Sequence, residues 1–395
     1  MPWKERSVLD LRHQFVTLYL TGHYPKARLC TLFGISRPTG DLWLARYDPH
    51  DPDWAADRSH APHACPQTTP PAVREAVRTL KATHPTWGPK KLRVLLAEQY
   101  PALPCPALST LGALLAADGL VTPAPRPRPA AWPSPYLTPA TAPNVVWCAD
   151  YKGWFRLGNG QRCEPLTLTD GASRFLLACD AFPQPTGADV RATCTRLFAT
   201  YGLPTVIRTD NGPPFASTAV GGLSRVSVWW LKLGIRPERI APGRPQQNGQ
   251  HERFHGTLTE VEPAADLAAQ QVAFDAFRQT YNAVRPHEAL GLQRPAQCYT
   301  PSPRALPATV PPVTYPSGMT VRHVRPDGTI KWGGALRFVS EALAGEDVGL
   351  WPLDDRLWVL YFTQVPLAVW DTHQAAWLPR KRACQVLRTL SIPAG

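Results

Sequence analysis

Apolar residues recur at helical spacing in the first fifty positions. Val8, Leu11, Phe15, Leu18 and Tyr19 mark one face of a helix that stops at Gly22. A second short apolar segment, 27–33, stops at Gly34. Ser36 then stands at an N-cap position, ahead of Pro38, Leu42, Trp43 and Leu44. Helix, short helix, glycine turn and capped helix predict a helix-turn-helix over residues 1–50, with its third helix lying in a major groove. Residues 48–71 show no periodicity and read as a linker. A second helical block spans 70–122, with helices expected at 71–83, 87–100 and 109–118. On pattern alone, either block is equally a three-helix bundle that binds protein.

From residue 144 the texture alternates. Strands are expected at 145–149, 164–169, 174–182, 205–209 and within 235–241, and helices at 186–201 and 223–233, with one long helix from Gln247 onward. Three antiparallel strands followed by α, β, α, β, α is the order of a ribonuclease-H-like mixed sheet. Beyond residue 317 short strands and turns such as Pro326-Asp327-Gly328 predict a small all-β barrel over 317–395. The fold class is therefore multidomain: an α-helical helix-turn-helix head, an α/β ribonuclease-H-like core at 140–302 and a small all-β barrel.

Composition changes this picture in two ways. The 395 residues include 45 prolines, roughly twice the ordinary share, and these gather in spacers, above all 123–143 and 301–316. They separate domains; 44% hydrophobic residues and 14 tryptophans argue against a disordered chain. The formal charge of +12, carried mostly by arginine, suits a nucleic-acid partner. No apolar run reaches the roughly 18 residues of a membrane span, and no signal peptide is evident, so the expected location is the cytoplasm. The nine cysteines lie singly without a C-x-x-C pair and read as reduced thiols. His60, His63 and Cys65 have a ligand look but no second ligand pair downstream, so a structural zinc there is a weak reading.

Three carboxylates sit where chemistry is expected. Asp150 ends the first strand of the core, Asp210 ends the fourth in Thr209-Asp210-Asn211-Gly212, and Glu252 lies near the start of a helix. If the first and fourth strands are neighbours, both aspartates reach one sheet edge, and a helix beside them can aim a glutamate there. Acids so gathered repel one another unless a cation joins them. Mg²⁺ takes such oxygen ligands, and two ions form the clamp used in phosphodiester chemistry. Taken singly, Asp210 is also a turn former and Glu252 a solvated helix residue.

Trp147-Cys148-Ala149-Asp150, Thr209-Asp210-Asn211-Gly212-Pro213-Pro214-Phe215 and Pro245-Gln246-Gln247-Asn248-Gly249 through Glu252-Arg253-Phe254-His255 resemble the three motifs of the retroviral-integrase superfamily. More narrowly they resemble the integrase-core transposases of bacterial insertion sequences. The resemblance continues through Tyr281-Asn282-Ala283-Val284-Arg285-Pro286-His287-Glu288-Ala289-Leu290. It implies Asp150, Asp210 and Glu252 as catalytic and metal-holding residues and two Mg²⁺ (or Mn²⁺) ions. It also implies nicking of transposon ends, attack of the 3′-OH on target DNA, and a homo-oligomer on double-stranded DNA. Forty-one residues separate Asp210 from Glu252, a few more than is usual; the surplus is expected as a surface excursion over 217–225.

The same resemblance makes both N-terminal blocks DNA-binding, with Arg37, Thr39, Lys90, Lys91 and Arg93 as candidate contacts, and Lys152, Gln247, Asn248 and Arg253 as candidates beside the triad. Asp41 stands where the family commonly has an aromatic residue, which puts the base contacts of the third helix in doubt. Arg285 and His287 are expected to close the core structurally. Two other readings stay open: a catalytically silent DNA-binding regulator descended from a transposase, and a standalone ribonuclease-H-type nuclease.

Overall fold

The structure, a computed structural model, describes residues 7–59, 68–121, 137–217, 219–241 and 245–388. His60, His63 and Cys65 lie outside them. The chain divides into two compact units, residues 1–69 and 70–395.

The first unit holds α1 (Val8–Leu20), α2 (Lys26–Phe33) and α3 (Arg37–Arg46). Ser7 and Asp10 form a capping box at α1, and Ser36 caps α3 by accepting the Thr39 amide. The expected apolar face of α1 is corrected: Phe15 and Val16 are buried, whereas Val8, Leu11 and Tyr19 are exposed. The domain also runs past residue 50. Trp54 and Ala55 enter its core, and Arg12 donates to the Ala55 carbonyl at 2.8 Å. A segment rich in Asp and Pro lacks periodicity, yet one tryptophan suffices to fold it back. Gly40 marks the α2–α3 crossing, since a Cβ there would meet Cys30 Sγ at 2.8 Å.

The second unit begins with α4 (Pro71–Thr83), α5 (Pro89–Gln99) and α6 (Leu108–Ala117), close to expectation and built around Val73, Leu80, Trp87, Leu92 and Leu111. Next come β1 (Val146–Tyr151), β2 (Phe155–Arg156), β3 (Arg162–Asp170), β4 (Leu176–Phe182), α7 (Gly187–Tyr201), β5 (Val206–Thr209), α8 (Arg225–Lys232) and β6 (Arg236–Arg239). The sheet runs β2-β3-β1-β5-β6 with β4 also on β3; β1 pairs antiparallel with β3 and parallel with β5. Strand alternation divides its faces. Trp147, Leu166 and Leu168 join α7 and α8 in one core, while Cys163 and Cys179 pack with α9 (Gly249–Leu258) and α10 (Leu267–Ala283) in another.

The single long helix expected after Gln247 is two. It breaks after Leu258, and Asp266 caps α10 by accepting the Ala269 amide, with Pro263 between them where a helix cannot readily continue. The four-residue α11 (Pro295–Cys298) ends the core.

The C-terminal region contains β7 (Thr320–His323), β8 (Thr329–Trp332), β9 (Ala335–Phe338), β10 (Asp347–Pro352), β11 (Leu357–Phe362), β12 (Val365–Asp371), β13 (Ala376–Trp377) and α12 (Arg380–Arg388). The expected barrel does not close among the described residues. Five strands form an open sheet in the order β13-β12-β11-β10-β7, and β8 pairs only with β9. Gly333 and Gly334, both at positive φ, make the two-residue turn of that hairpin. The hairpin folds over the sheet instead of completing it, burying Ile330 against Val348, Leu350 and Leu360.

The excursion expected at 217–225 is also corrected. Ala216 bridges Leu223, and Leu223 is buried with Val228, Leu231 and the C-terminal sheet. A Cβ on Gly221 would meet Leu367 of β12 at 2.8 Å. Gly221 and Leu223 therefore form part of a packed seam, which Lys232 and Glu346 join by an ion pair at 2.7 Å.

Candidate active site

The β1–β5 ladder pairs Val146 with Val206, Trp147 with Ile207 and Cys148 with Arg208. Two residues further along each strand direction stand Asp150 and Asp210, so parallel pairing brings both to one level at the sheet edge. On the other side Asp150 is registered opposite Thr167 of β3. Alternation then points Asp150, Thr167 and Thr169 away from the Trp147–Leu168 core and toward α9.

Two histidines of α9 meet those threonines. The Thr167 hydroxyl lies 2.7 Å from His251 Nε2 and 2.9 Å from His255 Nε2, and it is 3.0 Å from the Asp150 carbonyl. Thr169 Oγ1 lies 3.1 Å from His251 Nδ1. His251 is buried, and desolvation holds its pKa well below the usual range. His255 is lowered to about 4 by burial and then by the Lys152 charge. Both rings are therefore neutral, able to exchange hydrogen bonds with hydroxyls, and they fasten α9 to β3 and β1. The sequence carried a signal for this: His251 and His255 at i, i+4 share a helix face, as β3 residues 167 and 169 share a strand face.

Glu252, on the first turn of α9, is exposed. Its charge nevertheless reaches Asp150. Burial raises the Asp150 carboxyl to about 7, and Asp210 and Glu252 push it the same way against a lowering hydrogen bond from the Tyr151 backbone. Asp210 also makes the turn anticipated for it: its Oδ1 accepts the Gly212 amide at 3.1 Å. A Cβ at Gly212 would lie 2.9 Å from Asp210 Oδ2, so glycine there leaves the carboxylate room. Asn211 donates to the Ile240 carbonyl at 2.7 Å and ties the turn to β6.

Beside the acids, Gln247 Oε1 accepts the Ala241 amide at 2.7 Å, Asn248 is buried with its Oδ1 lacking a partner among the described residues, and Arg253 Nε donates to Gly249 O. Lys152 is half-buried. Asp150, His251 and His255 also have ligand atoms within 4.8 Å of one another. His251 Nε2, His251 Nδ1 and His255 Nε2 are each within hydrogen-bond reach of a threonine hydroxyl.

Further away, Arg37 is exposed at the start of α3, whereas Thr39 shares its hydroxyl with Ser36 at 2.8 Å. Asp41 is paired with Lys26 of α2, so it braces the helix crossing. Arg93 is exposed. Lys90 and Lys91 are each engaged within the chain. The Lys90 ammonium is held by Glu288 at 2.7 Å, and Lys91 is lowered to about 8, first by burial and then by Arg285. Both lie where the second helical block meets the closing segment of the core. Arg285, 7% exposed, pairs with Glu260 at 2.9 Å and packs over the Trp87 ring, confirming a structural role. No helix among the described residues is long and apolar enough to cross a membrane.

A family model described as "Integrase core domain" matches residues 140–245, and a second of the same description matches 233–295. An uncharacterized 39.2 kDa protein of insertion element IS476 from Xanthomonas euvesicatoria is 28% identical over 248 residues, which is 60% of this chain and 67% of that protein. An uncharacterized 31.7 kDa protein of insertion element IS407 from Burkholderia multivorans is 31% identical over 160 residues, 40% of this chain and 55% of that protein. The HTLV-2 integrase catalytic core domain, solved in complex with magnesium, aligns at 16% identity and a TM-score of 0.32 over 40% of this chain and 98% of that one. Residues 140–295 thus match an integrase core domain, and over that region the chain is similar to proteins of bacterial insertion elements.

Proposed function

We propose that the chain cuts DNA at the ends of a bacterial insertion sequence and joins the resulting 3′ ends to target DNA, with Asp150, Asp210 and Glu252 as its catalytic and metal-holding residues. The observation that carries this reading is the β1–β5 register, which levels the two aspartates, together with a glutamate whose charge is felt at Asp150. The donor set fits a hard divalent cation such as Mg²⁺ or Mn²⁺. It is all oxygen, and the upward push on Asp150 is the electrostatic cost that a bound cation would relieve. Two such ions, when bound, supply Lewis-acid stabilisation of the attacking and leaving oxygens.

The chain's own residues do the remaining work. The Thr167, His251 and His255 contacts hold α9 against β1, so Glu252 stays near the aspartates. Lys152 and Arg253, with Gln247 and Asn248 at the entry to α9, are the proposed contacts to DNA beside the scissile phosphate. The α1–α3 head and the α4–α6 block are proposed to read the element ends, with Arg37, Thr39 and Arg93 as contacts, and the active form is proposed to be a homo-oligomer holding two ends. Lys90 and Lys91 are proposed as further contacts of the α4–α6 block, and Lys90 also ties it to Glu288 of the core.

The test uses purified protein, Mg²⁺ and a labelled duplex carrying the element's own end sequence. Asp150→Asn, Asp210→Asn and Glu252→Gln are each expected to lower cleavage and joining by at least about a hundredfold, as loss of a transition-state charge contact does. Undiminished activity in any of the three would remove that residue from the site.

A further inference from the structure

The C-terminal region carries a second surface whose chemistry the catalytic reading does not use. Trp358 of β11, Trp370 of β12 and Trp377 of β13 are in register across three neighbouring strands. The β8–β9 hairpin adds Trp332, edge-on to Trp358 with ring centroids 4.9 Å apart. The hairpin is fixed there by the Trp377 indole, which donates to the Phe338 carbonyl at 2.9 Å.

Between hairpin and sheet lies an open groove of about 670 Å³, lined by Trp332, Trp358 and Trp370 with Arg322, Lys331 and Arg337. Its described lining includes no carboxylate. The Arg337 guanidinium lies 4.9 Å from the Trp370 ring and the Arg322 guanidinium 5.6 Å from the Trp332 ring. Arg337 Nε is buried without an acceptor among the described residues.

A tryptophan ladder alone is accounted for by strand pairing. Packing does not account for three cations gathered around its open end, where like charges repel. That charge excludes a cationic guest of the aromatic-cage kind, and the indole faces exceed what a bare anion needs. A ligand that satisfies both must carry regularly spaced negative charge and flat rings free to stack. In a closed duplex the rings are stacked on each other; in an unpaired strand they are not.

We infer that the Trp332–Trp358–Trp370 groove binds a short unpaired stretch of DNA, its bases stacking on indole and guanidinium faces and its phosphates meeting Arg322 and Lys331. The choice of DNA as the polymer rests on the proposed transposase reading. The groove would then hold the frayed or displaced strand that end cleavage exposes.

The experiment measures binding by the full chain, by fluorescence anisotropy, of a labelled oligothymidine of about a dozen nucleotides, of a duplex of equal length and of oligouridine. Reversing the two exposed cations, Arg322→Glu with Lys331→Glu, is expected to weaken oligothymidine at least tenfold and the duplex much less. Trp332→Leu is expected to weaken it similarly, with Trp332→Phe restoring most of the loss; melting curves of each variant verify the fold. Equal losses for single strand and duplex, no loss for either, or a clear preference for oligouridine would each overturn the assignment. End cleavage of an intact duplex by the same variants, and by the Asp150, Asp210 and Glu252 variants, separates the two readings. A groove that fails leaves the Asp150, Asp210 and Glu252 dependence intact, and a failed triad leaves oligothymidine binding intact.

Discussion

Asp150 shows what a buried carboxylate beside two other acids costs the metal-free fold. Its folded pKa of about 7 lies above the usual carboxylate value near 4, so the folded protein binds a proton there that the unfolded chain releases. Stability from this group is therefore fully present below about pH 4 and is lost as pH rises through 7. Asp150→Asn removes the conflict, so in EDTA at pH 8 it should raise the unfolding free energy by on the order of 1–2 kcal/mol, with little change near pH 4. Urea unfolding at the two pH values measures this. A destabilised variant at pH 8 would mean that burial and the neighbouring charges do not raise the Asp150 carboxyl. The wild type alone should gain stability on adding Mg²⁺. The repulsion from acids 60 and 102 residues away was legible in the sequence, whereas the burial that leads the shift was not.

At the level of elements, the break after α9 is as consequential as the helix itself. Glu260 follows α9 and is gripped by Arg285 and by the Thr86 hydroxyl at 2.7 Å, so the turn beyond the Glu252 helix is anchored both to the closing segment and to the second helical block. Arg285→Ala strands a half-buried carboxylate and should cost about 2 kcal/mol. Because it loosens α9, it should also lower end cleavage in Mg²⁺ without abolishing it. Urea midpoints beside cleavage rates check the prediction; unchanged stability would show Glu260 well solvated. The helix at 71–83, the helix expected at 109–118 and found at Leu108–Ala117, and the core strands other than β2 were legible from periodicity and caps. The break at 259–266 was not, since the apolar spacing continues through it and only Pro263 and Asp266 mark the stop.

For the whole molecule, the first unit closes on Trp54, beyond the point where helical periodicity ends. A fragment of residues 1–50 should therefore lack cooperative unfolding by circular dichroism, while 1–59 should show it. Equal behaviour of the two would make Trp54 dispensable. The second unit is joined by seams that no local pattern announces: Lys90 to Glu288, Arg294 to Glu98, and Leu223, Val228 and Leu231 against the C-terminal sheet.

The sequence by itself determined the alternating core, its three acids and the helical blocks, because periodicity, caps and short motifs are local properties that a single chain segment carries. Tertiary structure alone decided the rest. It set the level at which Asp150 meets Asp210, the histidine–threonine fastening of α9, and the turning inward of the 217–225 segment. It also left the C-terminal sheet open, with tryptophans and arginines around a groove. These depend on which distant surfaces meet, and the free energy of such meetings is fixed by burial and charge summed over partners far apart in sequence.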